Sequence, residues 1–229
     1  MNDNDASNNC LLSYYENHSV IRGLVQLIPC GIGSAIDTAL ITKVKNIRQK
    51  RLRIFWDELA TRNILLTEEM IQNEDFLHAY FATVQAVLRT RHQDKIRLFS
   101  RLLVNYTRGN PIDTIDEYEE FLAILNDLSI REFYVLTLLS DYEQKQPNIV
   151  PTSVQADTFW SRFLEDVENK VGIPQKEMPG FLARLSRTGL YTAFTSGHIG
   201  YKGNQGRTTP RLAKFIDAIQ SSGPNAPSN

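Results

Sequence analysis

The sequence is poor in the residues that build most chemical sites. It has two cysteines, Cys10 and Cys30, and no CxxC pair. A disulfide scaffold has no basis, and a zinc site would lack thiolates. That usage fits a reducing compartment, and the expected location is cytoplasmic. The four histidines, His18, His78, His92 and His198, are scattered. No G-x-S-x-G elbow, H-E-x-x-H pair or Walker A loop occurs. Glu68-Glu69 and Glu119-Glu120 are adjacent in sequence, so on a helix they point about 100° apart and do not face each other. Catalysis has no supporting constellation, and no metal or cofactor is expected.

An excess of one charge is also missing. Lys plus Arg is 25 and Asp plus Glu is 26, a net charge of -1. A globally basic nucleic-acid binder is excluded, whereas a local basic face is not. Met1 to Asn9 carry no Lys or Arg, so the basic start of a secretory leader is absent and none is expected. Long apolar runs are lacking too. The most apolar stretch, Val20 to Val44, is interrupted by Arg22, Gln26, Pro29 and Asp37. Those interruptions argue against a spanning helix, which needs about 20 mostly apolar residues. They fit a buried helix pair broken at Pro29-Cys30-Gly31. Gly31-Ile32-Gly33-Ser34 is expected to be a tight turn before the next helix.

What is present is helical periodicity. Hydrophobic residues make up 42% and charged residues 22%, ordinary values for a globular chain. Ile36, Leu40, Val44, Ile47, Ile54 and Leu59 recur at spacings of three, four or seven as far as Ile54, with Leu59 five further on, and are expected to share one helix face. Lys43, Lys45, Arg48, Lys50, Arg51 and Arg53 surround them within eleven positions. A second long helix is predicted from Asn73 to Gly109. Phe81, Val84, Leu88, Ile96, Phe99, Leu103 and Tyr106 form its apolar stripe, and His92 falls on that stripe. Arg89, Arg91, Lys95, Arg97 and Arg101 are expected on its other faces.

The charge then reverses. Asp113 to Glu143 hold nine acids against one base, Arg131. Asp116 to Leu128 reads as a helix. Ser129-Ile130-Arg131-Glu132 is a capping box opening the next one, which should run to about Tyr142. Asp157 to Val171 is helical. A short helix begins near Pro179, whose missing N–H costs nothing in a first turn. It ends at Gly189, well placed as its C′ residue. Leu190 to Thr195 favours a strand, and Gly197, Gly200, Gly203 and Gly206 suggest a flexible hairpin tip. Thr209-Pro210 opens a last helix through Ile219.

The order helix, helix, short helix, hairpin, helix resembles a winged helix-turn-helix. The expected fold is mainly α: a helical N-terminal module with a C-terminal winged helix and a small hairpin wing. The expected divisions are a disordered tail over 1–19, a helical module over 20–112, a bridging acidic helix over 113–128, a winged-helix domain over 129–220 and a flexible tail over 221–229. Arg184 and Arg187 of the short helix, with Lys202 and Arg207 of the wing and Arg211 behind it, form a candidate surface for nucleic acid or a protein partner. Lys43, Lys45, Arg48, Lys50, Arg51 and Arg53 form a second, for a membrane surface or a partner.

Three segments carry a family resemblance. They are Asp94-Lys95-Ile96-Arg97-Leu98-Phe99-Ser100-Arg101-Leu102-Leu103, Glu120-Phe121-Leu122-Ala123-Ile124-Leu125-Asn126-Asp127-Leu128-Ser129, and Phe181-Leu182-Ala183-Arg184-Leu185 through Gly189-Leu190 with Thr209-Pro210-Arg211-Leu212-Ala213-Lys214-Phe215. Over about residues 73–219 the chain resembles the bacterial abortive-infection alpha-type proteins. The resemblance implies a role in phage defence and carries over no catalytic residues. Together the features point to a non-enzymatic bacterial interaction protein acting through its winged helix on a protein partner or a second copy. A DNA-binding transcriptional regulator and a membrane-surface effector using residues 20–53 are the alternatives.

Overall fold

Helix α1 spans Thr38–Thr61, and α2, Glu68–Gln72, is a single short turn after it. Then come α3 (Glu74–Arg89), α4 (Gln93–Thr107), α5 (Ile115–Asp127), α6 (Ile130–Gln144) and α7 (Ser153–Val171). A 3-10 turn at Gln175–Glu177 leads into α8 (Met178–Ser186), followed by β1 (Tyr191–Ala193), β2 (Gly206–Thr208) and α9 (Pro210–Ile219). This computed structural model describes residues 38–62, 64, 66–109, 111–146, 153–195 and 205–220. The expectations for both tails, for the cysteines, for Gly31 to Ser34 and for His198 and Lys202 lie outside the described residues.

Local chemistry explains most boundaries. Asn73 caps α3 by accepting from the Phe76 backbone N–H at 2.9 Å, with Glu74 and Asp75 in the first turn, where the helix dipole favours acids. The capping box forms at Ser129. Its hydroxyl accepts from the Glu132 N–H at 3.2 Å, and the Glu132 carboxylate accepts from the Ser129 N–H at 2.7 Å. Pro179 lies in the first turn of α8, and Gly189 beyond its end has φ +72°, the left-handed region open to glycine. The strands pair antiparallel, with Tyr191 opposite Thr208 and Ala193 opposite Gly206. Gly206 is therefore a paired strand residue rather than part of a loose tip. A Cβ there would collide with the Thr192 carbonyl and the Tyr191 ring.

One long helix was expected from Asn73 to Gly109, and there are two. The chain turns extended at Thr90 and His92, which have ψ 143° and 119°. No Gly or Pro marks this break. A tertiary contact closes it: the Arg51 guanidinium donates to the Leu88 carbonyl, satisfying an acceptor at the end of α3. The break also changes the phase of the stripe. His92 is exposed at the N-cap of α4 and does not pack. Lys95, expected on an outer face, is 9% exposed.

The buried apolar residues form one continuous cluster from Leu52 to Ile219. Phe55 and Leu59 of α1 belong to it with Phe99 and Leu102 of α4, and the Ser100 hydroxyl of α4 donates to the Phe55 carbonyl at 3.3 Å. The C-terminal helix returns to the N-terminal helices. Phe215 meets the Phe121 ring edge-on at 5.5 Å, and the Asn105 amide of α4 donates to the Ala218 carbonyl at 2.7 Å. The second bond caps the end of α9 from across the fold, 113 residues away in sequence.

Candidate interaction surfaces

The acidic segment Asp113–Glu143 and the basic segment after Met178 come together in space. Arg184 of α8 donates to the Glu132 carboxylate at 2.7 Å. Glu132 is 4% exposed and already accepts from the Ser129 N–H, so one buried carboxylate joins α6 to α8. Arg211 of α9 pairs with Glu120, and Lys214 pairs with Glu117. The Arg211 guanidinium also stacks over Phe121, 5.5 Å from its centroid. Of the five residues expected on this surface, Arg184 and Arg211 are thus held by acids of the same chain. Arg187 is exposed at the end of α8. Arg207 is half-buried on β2, close enough to Glu143 to lower that carboxyl's pKa. Lys202 lies outside the described residues.

Glu143 anchors the hairpin to α6. Its carboxylate accepts the Thr208 N–H at 2.9 Å and the Thr208 hydroxyl. Burial raises its pKa above the ordinary carboxylate value, against the lowering effect of the Thr208 bonds and Arg207. The folded chain therefore holds this proton more tightly than the unfolded chain does. Stability falls as pH rises through the window above 4.5. Glu143→Gln keeps an acceptor for Thr208 and removes the titration. Urea unfolding at about pH 4, 5.5 and 7 should show the variant gaining on wild type as pH rises. A difference independent of pH would disprove the assignment.

The second basic surface is arranged differently. The buried residues of α1 begin at Leu52 and continue with Phe55 and Leu59. From Thr42 to Lys50 the helix is exposed at every residue except half-buried Arg48. These nine residues make about 13 Å of helix, or two and a half turns. Between Thr38 and Arg53 there are six bases and no acid. Lys43, Lys45 and Lys50 form no ion pair among the described residues. Arg53 stands near Asp57, and Arg51 is engaged at Leu88. Val44 and Ile47 are 40% and 42% exposed on this stretch.

Two neighbouring charged groups are structural. Glu58 accepts from Arg62 at 3.0 Å and from Arg101 at 2.8 Å, tying α1 to α4. Burial raises its pKa, but the two guanidinium partners outweigh burial and leave it low. Lys95 donates to the Asn126 and Leu128 carbonyls at 2.8 and 2.7 Å. The acidic partners Glu117, Glu120 and Glu132 were not expected as binders of the C-terminal bases. The charge reversal at Asp113 was the available signal.

Among the described residues no three His, Cys, Asp or Glu side chains converge as a metal site would require. Among them, too, no helix is long and apolar enough to cross a membrane. Comparison with family models, curated proteins and solved structures finds no match to this chain.

Proposed function

We propose that this chain is a non-enzymatic interaction protein whose C-terminal unit, a winged helix formed by α6 to α9 and the hairpin, docks a protein partner or a second copy. The observation that carries this reading is the ion pairing of the C-terminal bases. A helix that reads DNA presents its cations to phosphates, and each neutralised phosphate adds to affinity. Here Arg184, Arg211 and Lys214 are bound to Glu132, Glu120 and Glu117. A phosphate would have to compete with those carboxylates, and at Arg184 with a Glu132 that is 4% exposed. The same unit exposes Tyr134 of α6, at 56%. Tyrosine is a residue type enriched at protein interfaces. The resemblance to abortive-infection alpha-type proteins extends the proposal to bacterial phage defence, in the cytoplasm.

The test is the mass of the full chain in solution by light scattering, alone and with material captured from bacterial lysate. Wild type should form an oligomer or hold a stoichiometric partner. Replacing residues 196–204 by a short Gly-Ser linker should abolish that species, and Tyr134→Ala should weaken it. A monomer that captures nothing, or a species indifferent to both changes, would refute the reading.

A further inference from the structure

We propose that the exposed half of α1 is a binding element for duplex DNA, entering the major groove with its solvent face. The proposal is independent of the docking role given to the C-terminal unit. It starts from the positions of side chains around α1, where successive residues are 100° apart. Asn46 and Gln49 lie about 60° from each other, with Arg53 between them. Lys45 lies about 75° to one side of that centre, and Lys43 and Lys50 lie about 75° to the other. All six of these residues are exposed. The face thus has two amides at its middle and lysines along both edges.

B-form DNA has a major groove about 12 Å wide, which admits one α-helix with its side chains. A helix in that groove meets base edges along its centre and a phosphate strand on each flank. Asn and Gln are the side chains that pair with both N6 and N7 of adenine. Lysines on both flanks would each neutralise a phosphate and release its counterion. The charge is complementary in the required sense: this face carries Lys43, Lys45, Lys50 and Arg53 against one exposed acid, Asp57, beside Arg53.

Other occupants fit less well. A second copy would bring two cationic helices together. An RNA duplex has a major groove too deep and narrow for a helix. An anionic bilayer takes up an apolar face, with bases on the opposite side. In this helix Val44 and Ile47 lie on the side away from Asn46 and Gln49, in line with Arg51, whose guanidinium is turned onto Leu88. That side continues toward the body of the protein, where a flat surface would meet the other helices.

Fluorescence anisotropy of the full chain with a labelled random-sequence duplex, titrated from about 50 to 200 mM salt, tests the proposal. Wild type should bind with a steep salt dependence. Lys43→Gln with Lys45→Gln and Lys50→Gln should weaken binding at least 10-fold at low salt. The triple change should also flatten the slope by about 2 to 3, close to 0.9 per lost phosphate contact. Asn46→Ala with Gln49→Ala should leave the slope unchanged and reduce any preference for A·T-rich duplex. Arg187→Gln with Arg207→Gln should change nothing. The altered lysines and amides are exposed, and circular dichroism checks that each variant folds. Absence of binding by wild type would overturn the proposal. So would loss of binding confined to the Arg187 and Arg207 variant, or binding only to anionic vesicles.

Discussion

Phe215→Ala should lower the stability of the whole chain by about 3–5 kcal/mol, the cost of emptying a buried aromatic site. Phe215 is fully buried and meets Phe121 edge-on, where α9 returns to α5. Nothing beside it is placed to collapse cheaply. Its neighbours Leu212, Ala218 and Ile219 are themselves nearly or fully buried in the same cluster. In a chain of this size that cost lowers Tm by on the order of 10 °C. The site also decides whether the two halves unfold together. The two tryptophans, Trp56 of α1 and Trp160 of α7, report on opposite ends of the sequence. Single-tryptophan versions, made with Trp56→Phe and Trp160→Phe, should show coincident urea transitions with Phe215 present. With Phe215→Ala both transitions should move to lower urea. A shift seen by Trp160 alone would show that α9 does not join the halves into one cooperative unit.

Lys95→Met should cost about 2–4 kcal/mol, an unusual penalty for removing a lysine. The Nζ of Lys95 donates to the carbonyls of Asn126 and Leu128, at the end of α5 and the start of the link to α6. The last carbonyls of a helix have no partner within it, and a cation there also suits the dipole. Methionine keeps an unbranched apolar stem of similar length, while the Nζ that lies 5.9 Å from the Phe99 centroid is lost with the charge. The expected cost therefore comes mainly from two carbonyls left without their charged donor, with the ammonium's contact to Phe99 adding to it. Burial depresses the Lys95 pKa, while Asp127 and Glu132 raise it. Urea unfolding of Lys95→Met against Lys95→Arg and wild type measures the effect. An arginine that restores one carbonyl contact should recover part of the loss. If Lys95→Met were as stable as wild type, the lysine would be merely tolerated in its site.

The two surfaces differ in how far they could be read from residues alone. The six bases of α1 stand together in sequence, and helical periodicity spreads them around one cylinder without further information. Their exposure is a different matter, because it depends on where the core of α1 begins, at Leu52. The C-terminal bases also form a visible run, but their charge is answered by acids 52 to 97 residues away. No local pattern announces which arginine will meet which glutamate. Asn46 and Gln49 carry no signal of their own, because amides within a helix add nothing to its apolar periodicity.

Residues near one another in the chain determined the local elements of this protein. The 3.6-residue recurrence of apolar side chains placed the helices. Asn73, Ser129 with Glu132, and Thr209-Pro210 marked where three of them start, and Gly189 marked where one ends. Each of these signals works across a span of four residues or fewer, so it survives without knowledge of the fold. Contacts between distant residues decided the rest. Arg51 on Leu88 helped stop a helix that had no Gly or Pro to stop it. Lys95 was drawn inside by two carbonyls more than 30 residues away, and Asn105 capped a helix 113 residues further on. Arg184 was turned from a free cation into the partner of a buried glutamate. In each case the free energy comes from satisfying a backbone or carboxylate group that only the packed fold withdraws from water.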